Sequence, residues 1–175
     1  TPDAAGRVVA LFGVGILVAG PLGGTLADAI GRRATMLLSL VSGAFAVLED
    51  AERRPLGLVT VNPASKIIAR VLDRNPEAVI DRGWIAARLA RALALRERLY
   101  AAPFYRLVHA EADGLPGVVI DRFGEAAVIQ PNAAWAEAMI GDLAAALAEV
   151  TGVTTIVKNG TGRARGLEGL AEETV

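Results

Sequence analysis

Residues 104–130 read FYRLVHAEADGLPGVVIDRFGEAAVIQ and decide the fold of the second half of the chain. Three apolar runs, Phe104 to His109, Gly117 to Asp121 and Ala126 to Gln130, have the length and the β-branched content of short strands. They are separated by residues 112–116 and 122–125, in which glycine, proline and aspartate favour turns. The stretch therefore predicts three consecutive strands joined by turns.

Helical patterns flank these strands on both sides. Asp81 is positioned to cap a helix that runs to about Leu99. The apolar stripe of that helix comprises Ile85, Leu89, Ala92 and Leu93. A second amphipathic helix is marked by Met139, Ile140, Leu143, Leu147 and Val150, and a last strand by Thr154 to Lys158. The mixed order of these elements predicts an α+β fold.

A β-hairpin is predicted upstream of this fold. Leu56 to Val61 and Lys66 to Leu72 are rich in β-branched residues and flank the turn sequence Asn62-Pro63-Ala64-Ser65. The predicted order is therefore a hairpin followed by a small mixed α+β domain.

The first 47 residues have a different character. Residues 8–27 are almost entirely apolar or small, close to the ~20 residues that a helix needs to cross a membrane. This run predicts a membrane-like helix, with a buried core helix of a soluble protein as the alternative. A second helix candidate, Ala34 to Val47, would rise only about 21 Å against the ~30 Å of the hydrocarbon layer. Together the two predict an N-terminal apolar helical hairpin.

Composition excludes several kinds of site. The 175 residues include no cysteine, which rules out disulfides, thiolate metal ligands and a cysteine nucleophile within them. A single histidine cannot build a zinc site, so no metal site is predicted. From residue 48 onward there are 15 Lys and Arg against 17 Asp and Glu, about two net negative charges. Nucleic-acid binding would therefore need a local basic patch.

The charged segment between the two apolar runs resembles a known motif. Gly24, Asp28, Gly31, Arg32 and Arg33 are similar to the connection between helices 2 and 3 of major facilitator superfamily transporters. This resemblance covers residues 1–46 and implies a cytoplasmic charge cluster, insertion of residues 8–47 in the cell membrane and a transporter fragment. The basic residue that usually follows the aspartate is replaced by Ala29.

The rest of the chain resembles another family. The motifs that carry this resemblance are Val61-Asn62-Pro63 with Ser65, Arg70-Val71-Leu72, residues 105–109, Glu111 to Gly117, Asp121 to Gly124 and Leu167 to Leu170. They are similar to the class I S-adenosylmethionine (SAM)-dependent methyltransferases that modify carbon 5 of cytosine in large-subunit ribosomal RNA. The resemblance runs over residues 47–175. It implies a cytoplasmic location for this part and ribosomal RNA as its partner.

In that family a PUA domain leads into a central α+β domain and then a Rossmann-like catalytic domain. The resemblance therefore implies a transporter-like hairpin at 1–47, the end of a PUA-like domain at 48–75 and a truncated central domain at 76–175. No complete Rossmann domain is expected, and the family's cysteine nucleophile is absent. We thus expect an RNA-binding fragment with no catalytic residue and no bound SAM, although the complete enzyme uses SAM. The alternative is a transporter fragment, and the two halves together suggest a chimeric chain.

Five arginines are the candidates for RNA contact: Arg70, Arg88, Arg91, Arg98 and Arg106. Guanidinium groups match phosphates bidentately, and Arg88, Arg91 and Arg98 share one face of the predicted helix. A solvated helix face is the alternative interpretation. Four aromatic residues are candidates for stacking on unpaired bases or for ordinary packing: Trp84, Trp135, Tyr105 and Phe123.

Three further features favour structural roles. Residues 159–166, NGTGRARG, look like a cofactor loop, but Arg165 stands where the third glycine is needed, so an ordinary loop is predicted. Glu111 and Asp113 are predicted to be solvated carboxylates in a turn, with an acid/base pair as the alternative. His109, near the end of a strand, is predicted to pack or hydrogen-bond locally, with a functional base as the alternative.

Overall fold

The computed structural model describes residues 42–174, which divide into two compact units, residues 42–79 and residues 80–174. The transporter-like motif and the first apolar run lie outside the described residues, so the predictions made for them stay predictions. Within residues 42–174, none of the helices combines the length and the hydropathy needed to cross a membrane.

The first unit is a three-stranded antiparallel sheet. Its strands are β1 (Ala44–Glu49), β2 (Pro55–Val61) and β3 (Ala69–Asp73), arranged in the order β1-β2-β3. The predicted hairpin is present as β2 and β3, but its second strand begins three residues later than expected. The cause is local, because the side chains of Asn62 and Ser65 accept hydrogen bonds from backbone N–H groups two residues ahead and extend the turn.

Strand β1 corrects the prediction of a helix over Ala34 to Val47. Residues 44–47 lie in a strand, with Phe45 opposite Thr60 and Val47 opposite Leu58 of β2. Pairing with a buried neighbouring strand outweighs the helical preference of the alanines in this segment, since strand formation depends on cross-strand packing that local sequence does not report. The proposed boundary between residues 47 and 48 falls inside β1.

The second unit has the mixed composition that the sequence predicts. Its elements in chain order are α1 (Arg82–Leu99), β4 (Phe104–His109), a 3₁₀ helix (Ala110–Asp113), β5 (Val118–Phe123), β6 (Ala126–Pro131), α2 (Ala134–Ala138), α3 (Ile140–Thr151), β7 (Thr155–Gly160), α4 (Arg163–Leu167) and β8 (Glu173–Thr174). With the sheet of the first unit, the strands and helices of this unit confirm a mixed α+β fold.

The five strands of this unit form one sheet in the order β4-β5-β6-β7-β8. β4, β5 and β6 pair antiparallel through short connections, whereas β6 and β7 are parallel. A parallel pair cannot be joined by a tight turn, and here α2 and α3 provide the crossover. β8 pairs antiparallel with β7 through two residues.

One face of this sheet forms the core with the helices. Ile120 of β5 and Ile129 of β6 are direct cross-strand partners and are fully buried. Ile85 and Leu89 of α1 and Leu143 of α3 are buried as well, as the apolar stripes predicted. Burying an aliphatic side chain of this size stabilises a fold by about 1.5–3 kcal/mol, so these residues hold α1 and α3 against the strands.

Helix α1 begins as predicted. Oδ1 of Asp81 accepts a hydrogen bond from the backbone N–H of Trp84 at 2.8 Å and so caps the first turn. A cap of this kind stabilises a helix by about 1 kcal/mol. In the first turn of α1, the ring of Trp84 packs edge-to-face on the fully buried Trp135, with the two ring centroids 6.2 Å apart. The indole N–H of Trp135 donates to the carbonyl of Pro116 at 2.8 Å.

The other face of the sheet is exposed on β4 and half-buried along most of β5 and β6, and we call it the open sheet face. Cross-strand pairing places eleven residues on it: Phe104, Arg106, His109, Val119, Asp121, Phe123, Ala126, Val128, Gln130, Thr155 and Val157. Phe104 and Phe123 are direct partners, and so are Arg106 and Asp121. The exposed fraction is 67% for Phe104 and 53% for Phe123.

Candidate functional site

Helix α1 carries three of the five candidate arginines on one face. Arg88 is half-buried: its guanidinium carbon lies 3.4 Å from the centre of the Trp84 ring, and its Nη1 donates to the carbonyl of Trp84 at 3.3 Å. A guanidinium stacked on an indole is held in place. Arg88 is therefore fixed against the helix, whereas Arg91 and Arg98 are exposed.

Arg91 and Arg98 line a shallow groove of about 390 Å³ between α1 and the 3₁₀ helix. The apolar lining includes Leu95 of α1 and Ala112 of the 3₁₀ helix. Nη2 of Arg91 lies over Gly114, only 2.9 Å from the position that a Cβ atom would take there. The absence of a side chain at residue 114 thus gives the guanidinium room.

Asp113 of the 3₁₀ helix also lines the groove and belongs to a buried ion pair. Asp113 accepts hydrogen bonds from Nη1 and Nη2 of Arg96 at 3.1 and 2.6 Å, so the negative charge of Asp113 is balanced inside the fold. Neither Arg91 nor Arg98 forms an ion pair with any residue that the structure describes. The groove therefore carries the surplus positive charge of two exposed guanidinium groups, which suits an anion such as a phosphate.

The other two candidate arginines lie elsewhere. Arg106 is on the open sheet face, where its Nε and Nη2 donate to Asp121 at 2.9 and 3.1 Å. These hydrogen bonds raise the pKa of Arg106 above its usual value. Arg70 belongs to strand β3 of the first unit. The structure thus brings Arg88, Arg91 and Arg98 together and leaves Arg70 and Arg106 apart from them.

The prediction for the two carboxylates is half wrong. Glu111 is exposed, but Asp113 is buried. Its carboxylate can be buried because it accepts hydrogen bonds from the Arg96 guanidinium and, at 2.7 Å, from the backbone N–H of His109. Sequence reasoning missed this pair because Arg96 is 17 residues away along the chain. His109 hydrogen-bonds locally through its backbone.

The glycine-rich segment is also different from the prediction of a loop. Residues 163–167 form helix α4, and Arg165 within it is only 2% exposed. Arg165 donates to the carbonyls of Pro131 and Ala171 and to Oε2 of Glu137. The arginine that breaks the glycine pattern is therefore a structural residue in the interior.

Glu137 links that arginine to strand β7. Its Oε1 accepts a hydrogen bond from Nζ of Lys158 at 2.6 Å, and Lys158 also donates to Glu173 at 2.7 Å. Burial opposes the ionisation of Glu137, but the hydrogen bonds from Lys158 and Arg165 outweigh it and hold the pKa of Glu137 below its usual 4.5. The hydrogen bond to Glu137, joined by that to Glu173, raises the pKa of Lys158 above 10.5. This network ties α2, β7, α4 and β8 together.

The four candidate stacking residues separate into two groups. Trp135 and Tyr105 are buried, and Trp84 packs against Trp135, so these three are packing residues. Phe123 is exposed, and its cross-strand partner Phe104 is exposed too. Phe104 was not among the residues predicted to stack on bases, although its alternation with Tyr105 in a strand places the two rings on opposite faces.

The described residues contain no cluster of three or more His, Asp or Glu that could hold a metal ion. The described residues form two surfaces with distinct chemistry. One is the basic groove beside α1, and the other is the aromatic open sheet face.

The chain is similar in sequence to part of several known proteins. The chain is 43% identical over 98 residues to the ribosomal RNA large subunit methyltransferase I of Shewanella amazonensis, which covers 52% of this chain and 25% of that protein. It is 34% identical over 126 residues to the enzyme of the same name from Pseudoalteromonas translucida, covering 70% of this chain and 32% of that one. No family model matches the chain. The chain thus spans about a quarter to a third of the length of these relatives.

Solved structures share the fold. A Streptococcus mutans protein assigned as a SAM-dependent methyltransferase superposes with a TM-score of 0.62 at 14% identity, covering 68% of this chain and 32% of that one. The crystal structure of SMU.776, assigned as a methyltransferase and complexed with S-adenosylhomocysteine, gives the same values. At this identity the likeness concerns the fold alone. The chain is therefore similar in sequence to part of ribosomal RNA methyltransferases and similar in fold to part of these solved structures.

Proposed function

We propose that this chain is part of a SAM-dependent ribosomal RNA methyltransferase of the cytosine-C5 type and that it contributes contacts to the RNA substrate. The observation that carries the proposal is the identity of 34–43% to rRNA methyltransferases over 98–126 residues. Ribosomal RNA is then the partner, and the cytoplasm, where ribosomes are, is the place of action.

The division of the chain supports a domain assignment within this proposal. Residues 48–75 belong to the end of a PUA-like domain, and residues 76–175 are the central α+β domain. A structural division between residues 79 and 80 lies close to that boundary. Since residues 44–47 pair with β2, the PUA-like part begins a few residues earlier than its sequence motifs indicated.

The RNA contacts are proposed at the basic groove. Arg91 and Arg98 are exposed and carry no ion pair with the described residues, so their guanidinium groups can engage phosphate oxygens without breaking an existing pair. Arg88, fixed on Trp84, adds positive charge beside them. Arg70 and Arg106 are weaker candidates, because Arg106 already binds Asp121 and Arg70 lies in the other unit.

Catalysis is proposed to lie outside these 175 residues. In the resembled family a cysteine thiolate attacks the pyrimidine ring, and this chain has no cysteine. We therefore propose that the chain alone neither binds SAM nor transfers a methyl group. Isothermal titration of the full chain with SAM tests this, and a stoichiometric binding heat would contradict it.

The proposed contacts are tested by measuring RNA affinity as a function of salt. Each phosphate contact contributes a slope of about −0.7 to −0.9 in a plot of log affinity against log salt concentration. The double substitution Arg91→Ala and Arg98→Ala in the full chain should reduce that slope by about 1.5 and weaken binding at low salt. Arg163→Ala is the matched control, since Arg163 is exposed and lies outside the groove.

Two outcomes contradict the proposal. A wild-type chain without salt-sensitive binding to a fragment of ribosomal RNA would remove the RNA-binding role. An equal loss of slope in the Arg163→Ala control would show that the groove is not the site. Fractionation of the cells that produce the full chain tests the transporter alternative. Recovery of the chain in washed membranes would favour a transporter fragment.

A further inference from the structure

We propose that the open sheet face is a stacking platform for unpaired RNA bases, with Phe104 and Phe123 as the two stacking residues. This inference rests on the proposed RNA-binding function and adds a second surface to it. The basic groove would take phosphates, whereas the open sheet face would take bases.

The first observation is the position of the two phenylalanines. They are direct cross-strand partners on β4 and β5, so their Cβ atoms are about 5 Å apart on the same face of the sheet. Both are more than half exposed. Neither ring contacts another aromatic ring among the described residues, in contrast to Tyr100 and Tyr105, which stack on each other at 5.4 Å. Two large rings thus present apolar surface to solvent instead of to the core.

The second observation is the polar group beside the rings. Arg106 lies two residues from Phe104 and uses its Nε and Nη2 for Asp121, while Gln130 donates from Nε2 to the same carboxylate at 3.5 Å. Among described residues, this leaves Nη1 of Arg106 as a donor and Oε1 of Gln130 as an acceptor. A fixed donor and acceptor next to stacking rings fit the hydrogen-bonding edge of a base.

The chemistry of the face favours a single-stranded nucleic acid over a protein. The core of a protein–protein interface is depleted of charged residues, but here an ion pair lies next to the aromatic pair. Among the described residues of the open sheet face, the charges of Arg106 and Asp121 offset each other, so the face suits uncharged bases better than phosphates. Sheets that bind single strands combine exposed aromatic rings and hydrogen-bonding side chains in this way.

Substitutions of the rings test the platform. In the full 175-residue chain, Phe104→Ala and Phe123→Ala should each weaken binding of a single-stranded RNA oligonucleotide about tenfold, the loss expected for one stacked base. The slope of log affinity against log salt should stay at its wild-type value, because no phosphate contact is lost. Phe104→Tyr should retain affinity, and duplex RNA of the same sequence should bind equally well to all variants. Leu167→Ala, which removes an exposed apolar side chain from α4, is the control.

The outcomes separate the two proposals. If wild type binds single-stranded RNA and the ring variants bind equally well, the platform is wrong and the proposed function stands. If the wild-type chain binds no RNA, both fail. A second copy of the chain is the rival occupant, and sedimentation equilibrium decides it: a wild-type dimer that becomes a monomer on Phe104→Ala would overturn the platform.

Discussion

Arg96 and Asp113 are joined at two points, with Nη1 to Oδ1 at 3.1 Å and Nη2 to Oδ2 at 2.6 Å, and both side chains are almost buried. The same arginine donates from Nε to the carbonyl of Arg106 at 3.0 Å, and the same aspartate accepts from the N–H of His109. One ion pair therefore fastens helix α1, strand β4 and the 3₁₀ helix to each other.

Removing one partner of this pair should destabilise the protein strongly. Asp113→Ala leaves the Arg96 guanidinium desolvated and unpaired, which costs about 3–5 kcal/mol at buried sites. Urea denaturation measures the loss as a lower transition midpoint with an unchanged slope. Glu97→Ala removes an exposed carboxylate from the same helix and should stay within about 0.5 kcal/mol of wild type. Equal stability of the two variants would contradict the assigned role of the pair.

Arg165 should contribute to the stability of the protein about as much as the Arg96–Asp113 pair, although it lies in a glycine-rich segment. Arg165→Ala deprives the carbonyls of Pro131 and Ala171 of their donor and leaves Glu137 with Lys158 alone. We expect a loss of about 3 kcal/mol, seen by calorimetry as a fall of about 4–8 °C in Tm for each kcal/mol. Arg163→Ala, in the same short helix but exposed, should leave Tm nearly unchanged. A similar fall in both would mean that α4 and not the buried guanidinium is what matters.

The same network should make stability depend on pH. The pKa of Glu137 is lower in the folded protein than its usual 4.5, so the stabilisation from its ionised form is complete above about pH 4.5 and is lost as the pH falls through the lowered pKa. The pKa of Lys158 is raised, so its contribution is complete below pH 10.5 and is lost as the pH rises through the raised value.

Urea denaturation at pH 3 to 7 measures the acidic side of this dependence. The difference in unfolding free energy between wild type and Glu137→Gln should shrink as the pH falls below 4.5. A difference for Glu137→Gln that does not change with pH would show that Glu137 is not held ionised by its neighbours.

Two glycines separate backbone strain from packing. Gly117 and Gly152 both have φ of 70–74°, where any other residue is strained by about 1–2 kcal/mol. A Cβ at residue 117 would lie 2.5 Å from the Cβ of Ala133, whereas one at residue 152 would meet nothing within 4 Å. Gly117→Ala should therefore lower the unfolding free energy by more than Gly152→Ala, and the difference measures the contact with Ala133. Equal losses would mean that the Gly117 turn can move away from Ala133.

Elements whose formation depends on neighbouring residues in the chain were predictable from the sequence. The strands within residues 104–130 and the cap at Asp81 depend on neighbouring residues, and the structure has them nearly as expected. Strand β1 depends on its partner β2, and the burial of Asp113 depends on an arginine 17 residues earlier, so neither had a local signal. For the groove, periodicity placed Arg88, Arg91 and Arg98 on one face, but only the structure shows which of them already have partners.

The Arg96–Asp113 pair also has a consequence outside the folded monomer. β4 is the outermost strand of its sheet, and outermost strands expose N–H and C=O groups that can recruit a strand from another molecule. The carbonyl of Arg106 and the N–H of His109 are already engaged by the pair. Loss of Asp113 would release the N–H of His109, so the variant should tend to aggregate as well as unfold: the ion pair that stabilises the fold also blocks strand pairing between molecules.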